Sequence, residues 1–120
     1  CIATDHAPHA PRDKNVLFEF AANGVVGLEK AWSAGLNLVE NGTVSLERLV
    51  ELLAVMPAKV IGVDGGILKE NGKADFFLTD LSAVYTLTVD ELRSKSKNSP
   101  FIGRTLKGKV VSTFVAGKLV

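Results

Sequence analysis

The hydrophobic repeat of this chain changes period once, close to Gly62. Before it, apolar residues recur at helical spacing. After it, they come in short β-type runs separated by turn residues. A chain that orders its elements as loop, helices, then strands must pack a helical layer beside a sheet, an α/β arrangement.

In the first half, Val25, Val26, Leu28, Ala31, Trp32, Leu36 and Val39 form one helical stripe, which Asn41-Gly42 should stop. Ser45 is placed to cap a second helix, and Glu47 stands in its first turn, where the helix dipole favours an anion. Leu46, Leu49, Val50 and Leu53 give that helix its apolar face, joined by Leu52 or Met56. Pro57 is expected to break it and to start a short helix closed by Gly62.

In the second half, "GGILKENGKADFFLTDL" predicts a hairpin of two strands turning at Asn71-Gly72. "AVYTLTV" predicts another short strand, and Asp90–Arg93 a single helical turn. Val110–Val115 should pair with Lys118–Val120 around Ala116-Gly117.

The opening segment, "CIATDHAPH", is an apolar stub of four residues running into a polar cluster, then a long loop rich in Pro, Asp, Lys and Asn up to residue 23. This resembles the end of a buried strand and the loop after it. An apolar strand beginning at residue 1 leads to the expectation that the chain is the C-terminal part of something longer. A structureless loop of that length in a compact domain is usually functional or disordered.

Charge excludes some functions. With 14 basic and 13 acidic side chains the net charge is +1, so neither a nucleic-acid footprint nor a funnel for acidic substrates is implied. No apolar run approaches the roughly 20 residues of a membrane helix. The single Cys1 excludes an internal disulfide and suits a reducing compartment, so a cytoplasmic location is expected.

Both histidines lie in "TDHAPH", residues 4 to 9. At the mouth of a barrel strand, Asp5 could bind a metal and move a proton. His9 could ligate a metal when neutral, or grip a carboxylate when protonated. The same letters also describe a capping Asp with two surface histidines, and spacing alone does not choose. Arg12, Asp13 and Lys14 read as a solvated charge cluster on the loop. Trp32, on the apolar stripe, reads as core.

Taken in order, "ATDHAPH", "NGVVGLEKAW", "SLERLVELLAVMPAKVIGV", "GKADFFLTDL" and "SKSKNSPFIGRTLKGKVVSTFVAGKLV" resemble the C-terminal third of the class I dihydroorotases, metal-dependent hydrolases of the amidohydrolase superfamily. "DHAPH" and the "SKSKNSPF" run are the specific parts; "GKAD" recurs across cyclic amidohydrolases. The resemblance implies an α/β fold in which residues 1–62 end a (β/α)8 TIM barrel, contributing its last strand, the active-site loop and helices. Residues 63–120 would then supply strands of a small composite β-sandwich domain. It implies reversible cyclisation of N-carbamoyl-L-aspartate to L-dihydroorotate, a step of pyrimidine synthesis, with zinc as cofactor.

By the same resemblance, Asp5 is a zinc ligand and the catalytic proton carrier, and His9 hydrogen-bonds the substrate carboxylate. Asn23 and Gly24 align with the position where backbone groups contact substrate. Relatives often carry Pro-Phe-Gly where this chain has Ala22-Asn23-Gly24, so a plain helix-entry turn remains open for that pair. No role carries over to His6, which is expected to hold the loop through a backbone hydrogen bond. Lys95, Ser96, Lys97 and Asn98 read as structural, in the sandwich part and away from the barrel mouth.

The superfamily's other zinc ligands, a His-x-His pair, a bridging acidic or carboxylated group and two more histidines, are absent from a sequence with 2 His. One carboxylate does not hold a catalytic zinc, since about three protein ligands are usual. Residues 1–120 alone are expected to be inactive and to need the upstream part of the same enzyme for order. A homo-oligomer is expected, with no nucleic-acid or membrane partner. Two alternatives stay open: another cyclic amidohydrolase of the dihydropyrimidinase or hydantoinase type, and a non-catalytic homologue acting as a structural subunit, for instance of aspartate carbamoyltransferase.

Overall fold

The computed structural model describes residues 1–120. The first stripe folds as a 3-10 turn at Leu28–Lys30 that runs into helix α2, Ala31–Glu40. A short α1, Pro11–Lys14, and a 3-10 turn at Phe18–Phe20 lie upstream, so the long loop has local structure of its own. Helix α2 ends as expected, with Asn41 as its C-cap and Gly42 in the left-handed region at φ 75°.

The Ser45 hydroxyl accepts the Arg48 N–H and starts α3, Leu46–Val50. The expected break at Pro57 does not occur. Helical structure continues through a π turn at Glu51–Val55 into α4, Met56–Ile61. Proline has no N–H to give the carbonyl four residues back, and its ring crowds that carbonyl. Widening the preceding turn to i→i+5 bonding relieves both problems. Gly62 closes the run at φ 72°.

The hairpin expected at Asn71-Gly72 also differs. A turn is there, with the Gly72 N–H donating to the Lys69 carbonyl and Asn71 at φ 58°, but no strand precedes it. Ile67 and Leu68 are exposed, so the upstream apolar run finds no face to cover. The two strands expected in "FFLTDL" and "AVYTLTV" are one, β1, Phe76–Thr86. It pairs antiparallel with β2, Thr105–Val115, with register shifts between Leu78 and Thr79 and between Asp80 and Val84. At the second shift the Asp80 carboxylate accepts the N–H groups of Ser82 and Ala83 and the Ser82 hydroxyl, closing the extra residues of the bulge.

Strand β3, Lys118–Leu119, follows β2 through Ala116 and Gly117, whose φ of 49° and 75° are the two positive values a type I′ hairpin turn requires. The sheet order is β1-β2-β3. A capping box between Thr88 and Glu91 starts a 3-10 turn at Val89–Glu91, where one helical turn was expected.

Helix α2 lies on β2. Trp32, Leu36 and Leu49 form one buried cluster, supported by Ile2, Val39 and Leu53. The Trp32 indole N–H donates to Thr79 Oγ1 at 2.8 Å, and the buried Ser33 hydroxyl donates to the Gly108 carbonyl at 2.6 Å. A second cluster, Leu87, Leu92 and Leu106, holds the far end of the sheet. The accessible surface is 8312 Å², where a monomer of this mass typically shows about 6,300 Å². Apolar faces are therefore left uncovered, Leu17, Phe18 and Phe20 among them. No helix is long and apolar enough to cross a membrane.

Candidate active site

Residues 1–4 form no strand. The segment is tied down by the Ile2 N–H to the Leu52 carbonyl and by a single parallel bridge between His6 and Val25. Asp5, just before that bridge, has φ 43°. This left-handed conformation is uncommon for a residue with a side chain, although Asp tolerates it better than most, and it occurs disproportionately at functional sites. The Asp5 carboxylate is exposed and does not line the cavity of about 560 Å³ beside His9.

His6 does what its position suggested. Its Nδ1 accepts the N–H groups of Gly27 at 3.3 Å and Leu28 at 3.2 Å, satisfying donors at the start of the 3-10 turn. An Nδ1 that accepts carries no proton, which leaves Nε2 as the N–H of the neutral ring.

His9 and Asn23 come together. His9 Nε2 lies 2.8 Å from the Asn23 carbonyl oxygen. A carbonyl only accepts, so Nε2 carries the hydrogen, and Nδ1 is the nitrogen left for a ligand. In the neutral ring Nδ1 is an acceptor; in the imidazolium it is a charged donor that suits a carboxylate. Next to Asn23, Gly24 has φ 90°, and a Cβ there would lie 2.6 Å from the Ala7 Cβ. Only glycine brings the 22–26 segment this close to the histidine loop.

Two groups read from sequence as peripheral belong to this loop. Lys14 is not a solvated charge: its half-buried ammonium donates to the carbonyls of Ala22 at 2.6 Å and Gly24 at 3.1 Å. The two convergent carbonyls replace part of the water that a free ammonium would bind. Its neighbours Arg12 and Asp13 do stay in solvent as a loose pair at 3.6 Å.

The 95–98 run, expected away from the loop, lies against it. The Asn98 amide donates to the carbonyls of Ala7 at 3.0 Å and Gly24 at 3.4 Å, and its Oδ1 accepts the His9 N–H at 3.4 Å. Ser96 Oγ is 2.5 Å from the His9 carbonyl. A cavity of about 560 Å³ opens between the two segments, lined by His9, Lys14, Asn15, Lys95, Ser96 and Asn98, among others. Nothing in the local spacing of "SKSKNSP" announced these contacts, because they are made over about 90 residues of sequence.

A third long-range tie runs from Glu29. Its carboxylate accepts the N–H groups of Arg93 and Ser94, each at 2.8 Å. Burial alone would raise its pKa, but these two bonds, helped by Lys30 and Lys97, hold it below the ordinary carboxylate value.

All of residues 1–120 match the Amidohydrolase family. The chain belongs to that family. It is 48% identical over 119 residues to a dihydroorotase of Geobacter metallireducens and 47% identical to one of Citrifermentans bemidjiense. In both comparisons 99% of this chain is covered and 28% of the relative, so the chain spans little more than a quarter of the length of these family members. Among solved structures, a D-hydantoinase superposes with a TM-score of 0.78 at 28% identity, over 86% of this chain and 23% of its own. An L-hydantoinase (dihydropyrimidinase) from Arthrobacter aurescens gives 0.71 at 34% identity, over 85% and 23%. This amidohydrolase segment is thus an α/β piece with a three-stranded antiparallel sheet that superposes on part of the hydantoinase chains.

Its residues do not make a metal centre by themselves. No three side chains of His, Cys, Asp or Glu converge, and a protein-held zinc takes about three such ligands. The Asp5 carboxylate stands exposed, and His6 has one ring nitrogen committed to the backbone.

Proposed function

We propose that the protein bearing this segment is a dihydroorotase, interconverting N-carbamoyl-L-aspartate and L-dihydroorotate in pyrimidine synthesis. The carrying observation is the near half identity to dihydroorotases over 119 residues of the segment. The contact between His9 and Asn23 supports it, because it sets a ring that can become cationic beside Asn23 and Gly24, where an acidic substrate could be gripped.

In this reading Asp5 is the catalytic residue. In the hydrolytic direction a water oxygen bonds to the ring carbonyl carbon, and Asp5 takes the proton that water gives up. The ring C–N bond then breaks, and the same proton goes to the departing nitrogen. His9 holds the substrate carboxylate through Nδ1, and the backbone at Asn23 and Gly24 completes the contact. Zinc is the proposed cofactor. Asp5 would give it one ligand, and residues 1–120 do not supply the rest.

Residues 1–62 are read as the end of a (β/α)8 barrel and 63–120 as the C-terminal part of a β-sandwich. In this reading the protein is cytoplasmic and a homo-oligomer. Aspartate carbamoyltransferase is the partner for the alternative in which the protein is a non-catalytic subunit.

The superposition on hydantoinases favours one further alternative, a dihydropyrimidinase-type activity. Assay of the full-length, metal-loaded enzyme on dihydroorotate and on dihydrouracil decides between them: turnover of dihydroorotate is expected, and turnover of dihydrouracil alone would overturn the reading. Asp5→Asn keeps the shape and removes the base, so activity should fall to near zero; near-normal activity would refute the role given to Asp5.

A further inference from the structure

The residues that set His9 in place lie far from it in sequence. We propose that Asn98, assisted by Ser96, is a positioning residue for His9, holding its ring at the substrate through the backbone on either side. The inference rests on the reading of His9 as a substrate-binding group.

The geometry is specific to that loop. The Asn98 side chain uses both ends of its amide: Oδ1 accepts the His9 N–H, while Nδ2 donates to Ala7 and Gly24. The Asn98 backbone carbonyl accepts the Val26 N–H at 3.1 Å. One residue thus bridges the segment bearing His9 and the segment bearing Asn23 and Gly24. The Ser96 hydroxyl stands 2.5 Å from both the His9 carbonyl and Asn98 Oδ1. It has one proton, so it braces one of these acceptors at a time. The His9 ring then closes the frame on Asn23.

Every partner of the Asn98 amide is a backbone group of the two loop segments, apart from the Ser96 hydroxyl. Truncating it would therefore leave the Ala7 carbonyl and the His9 N–H unpartnered in a half-buried place, with Lys14 the remaining donor to Gly24, and let the two segments separate. A residue that merely fills space would not connect substrate affinity to His9.

The test uses the full-length enzyme with Asn98→Ala, Ser96→Ala, Ser96→Thr and His9→Ala, and the double variant of Asn98 and His9. Asn98→Ala should raise KM for dihydroorotate about tenfold or more while kcat falls much less, since a displaced binding group costs affinity first. Ser96→Ala should raise KM in the same direction, and Ser96→Thr, which keeps the hydroxyl, should restore it. In the His9→Ala background Asn98→Ala should change KM little, because the group it positions is gone. Hydrogen exchange across residues 7–9 and 24–26 should quicken in Asn98→Ala whether or not the enzyme turns over dihydroorotate.

If the unsubstituted enzyme fails on dihydroorotate, the function assigned above falls, and the exchange data still decide the clamp. Unchanged exchange in those segments overturns the proposal. So does an Asn98→Ala effect on KM of equal size with and without His9.

Discussion

Leu36 rests on the bare backbone of Gly108: a Cβ on that glycine would lie 2.0 Å from Leu36 Cδ1. Gly108 also has φ 75°. The helix that leads out of the candidate active site is thereby seated on the sheet at its closest approach. Gly108→Ala would combine a left-handed alanine with an overpacked contact, at a cost of about 2–4 kcal/mol. Thermal unfolding of the full-length protein should show a clearly lowered midpoint. A midpoint unchanged within error would mean that α2 and β2 do not meet this way.

Gly24 makes a comparable contact at the site itself. Gly24→Ala places a Cβ against Ala7 at φ 90°, with a strain of about 1–3 kcal/mol. Pushing the two segments apart should weaken substrate binding before it impairs folding. Steady-state kinetics should show a raised KM with a smaller loss of kcat, and matching losses of solubility and apparent kcat at an unchanged KM would point to misfolding instead.

Lys14 fastens the loop through two carbonyls, so its removal should loosen residues 10–24 without disturbing the sheet. Lys14→Met keeps the aliphatic stem and deletes the charge. Limited proteolysis should then cut this loop several times faster, while the unfolding midpoint moves little; equal cleavage rates would return Lys14 to the solvated class.

Glu29 links the helical layer to the segment at Arg93 and Ser94 in a pH-dependent way. Its native pKa is lowered from the ordinary 4.5, although burial opposes this, because two backbone N–H groups favour the ionised form. The unfolded chain therefore binds the proton more readily than the folded one. The stabilisation is fully present above about pH 4.5 and is lost as the pH falls through the lower native value. Glu29→Gln replaces one acceptor by a donor facing an N–H that water can partly reach, with an expected cost of about 0.5–1.5 kcal/mol near neutrality. Unfolding midpoints of the two proteins should converge as the solution is acidified below pH 4.5, and parallel curves would refute the linkage.

Much of the fold can be read from local chemistry. The stop at Asn41 and Gly42, the Ser45 cap, the closing Gly62 and the tight turn at Ala116-Gly117 each depend on residues within a few positions of one another. Helix and turn signals of this kind are satisfied by the chain's own backbone. The two local misreadings have local limits too. Pro57 forbids one hydrogen bond, and the π turn supplies an alternative that a rule about helix breaking does not contain. The apolar run before Asn71 has strand composition, but a strand exists only with a neighbour to pair with, and none lies beside it.

The site divides along the same line. Asp5, His6, His9, Asn23 and Gly24 drew notice because their types and motif are carried in the sequence itself, as is the resemblance to the amidohydrolases. Lys14 gave no such signal, because a lysine among charges looks like solvent-facing loop; Ser96 and Asn98 lie in a run that carries the resemblance, but it reads as structural and away from the site. Their partners are main-chain carbonyls and amides, which every residue carries and which no residue type advertises. Which carbonyl meets which amide was settled only when the helical layer came down on the sheet and brought residues 7–9, 24–26 and 96–98 within hydrogen-bonding distance.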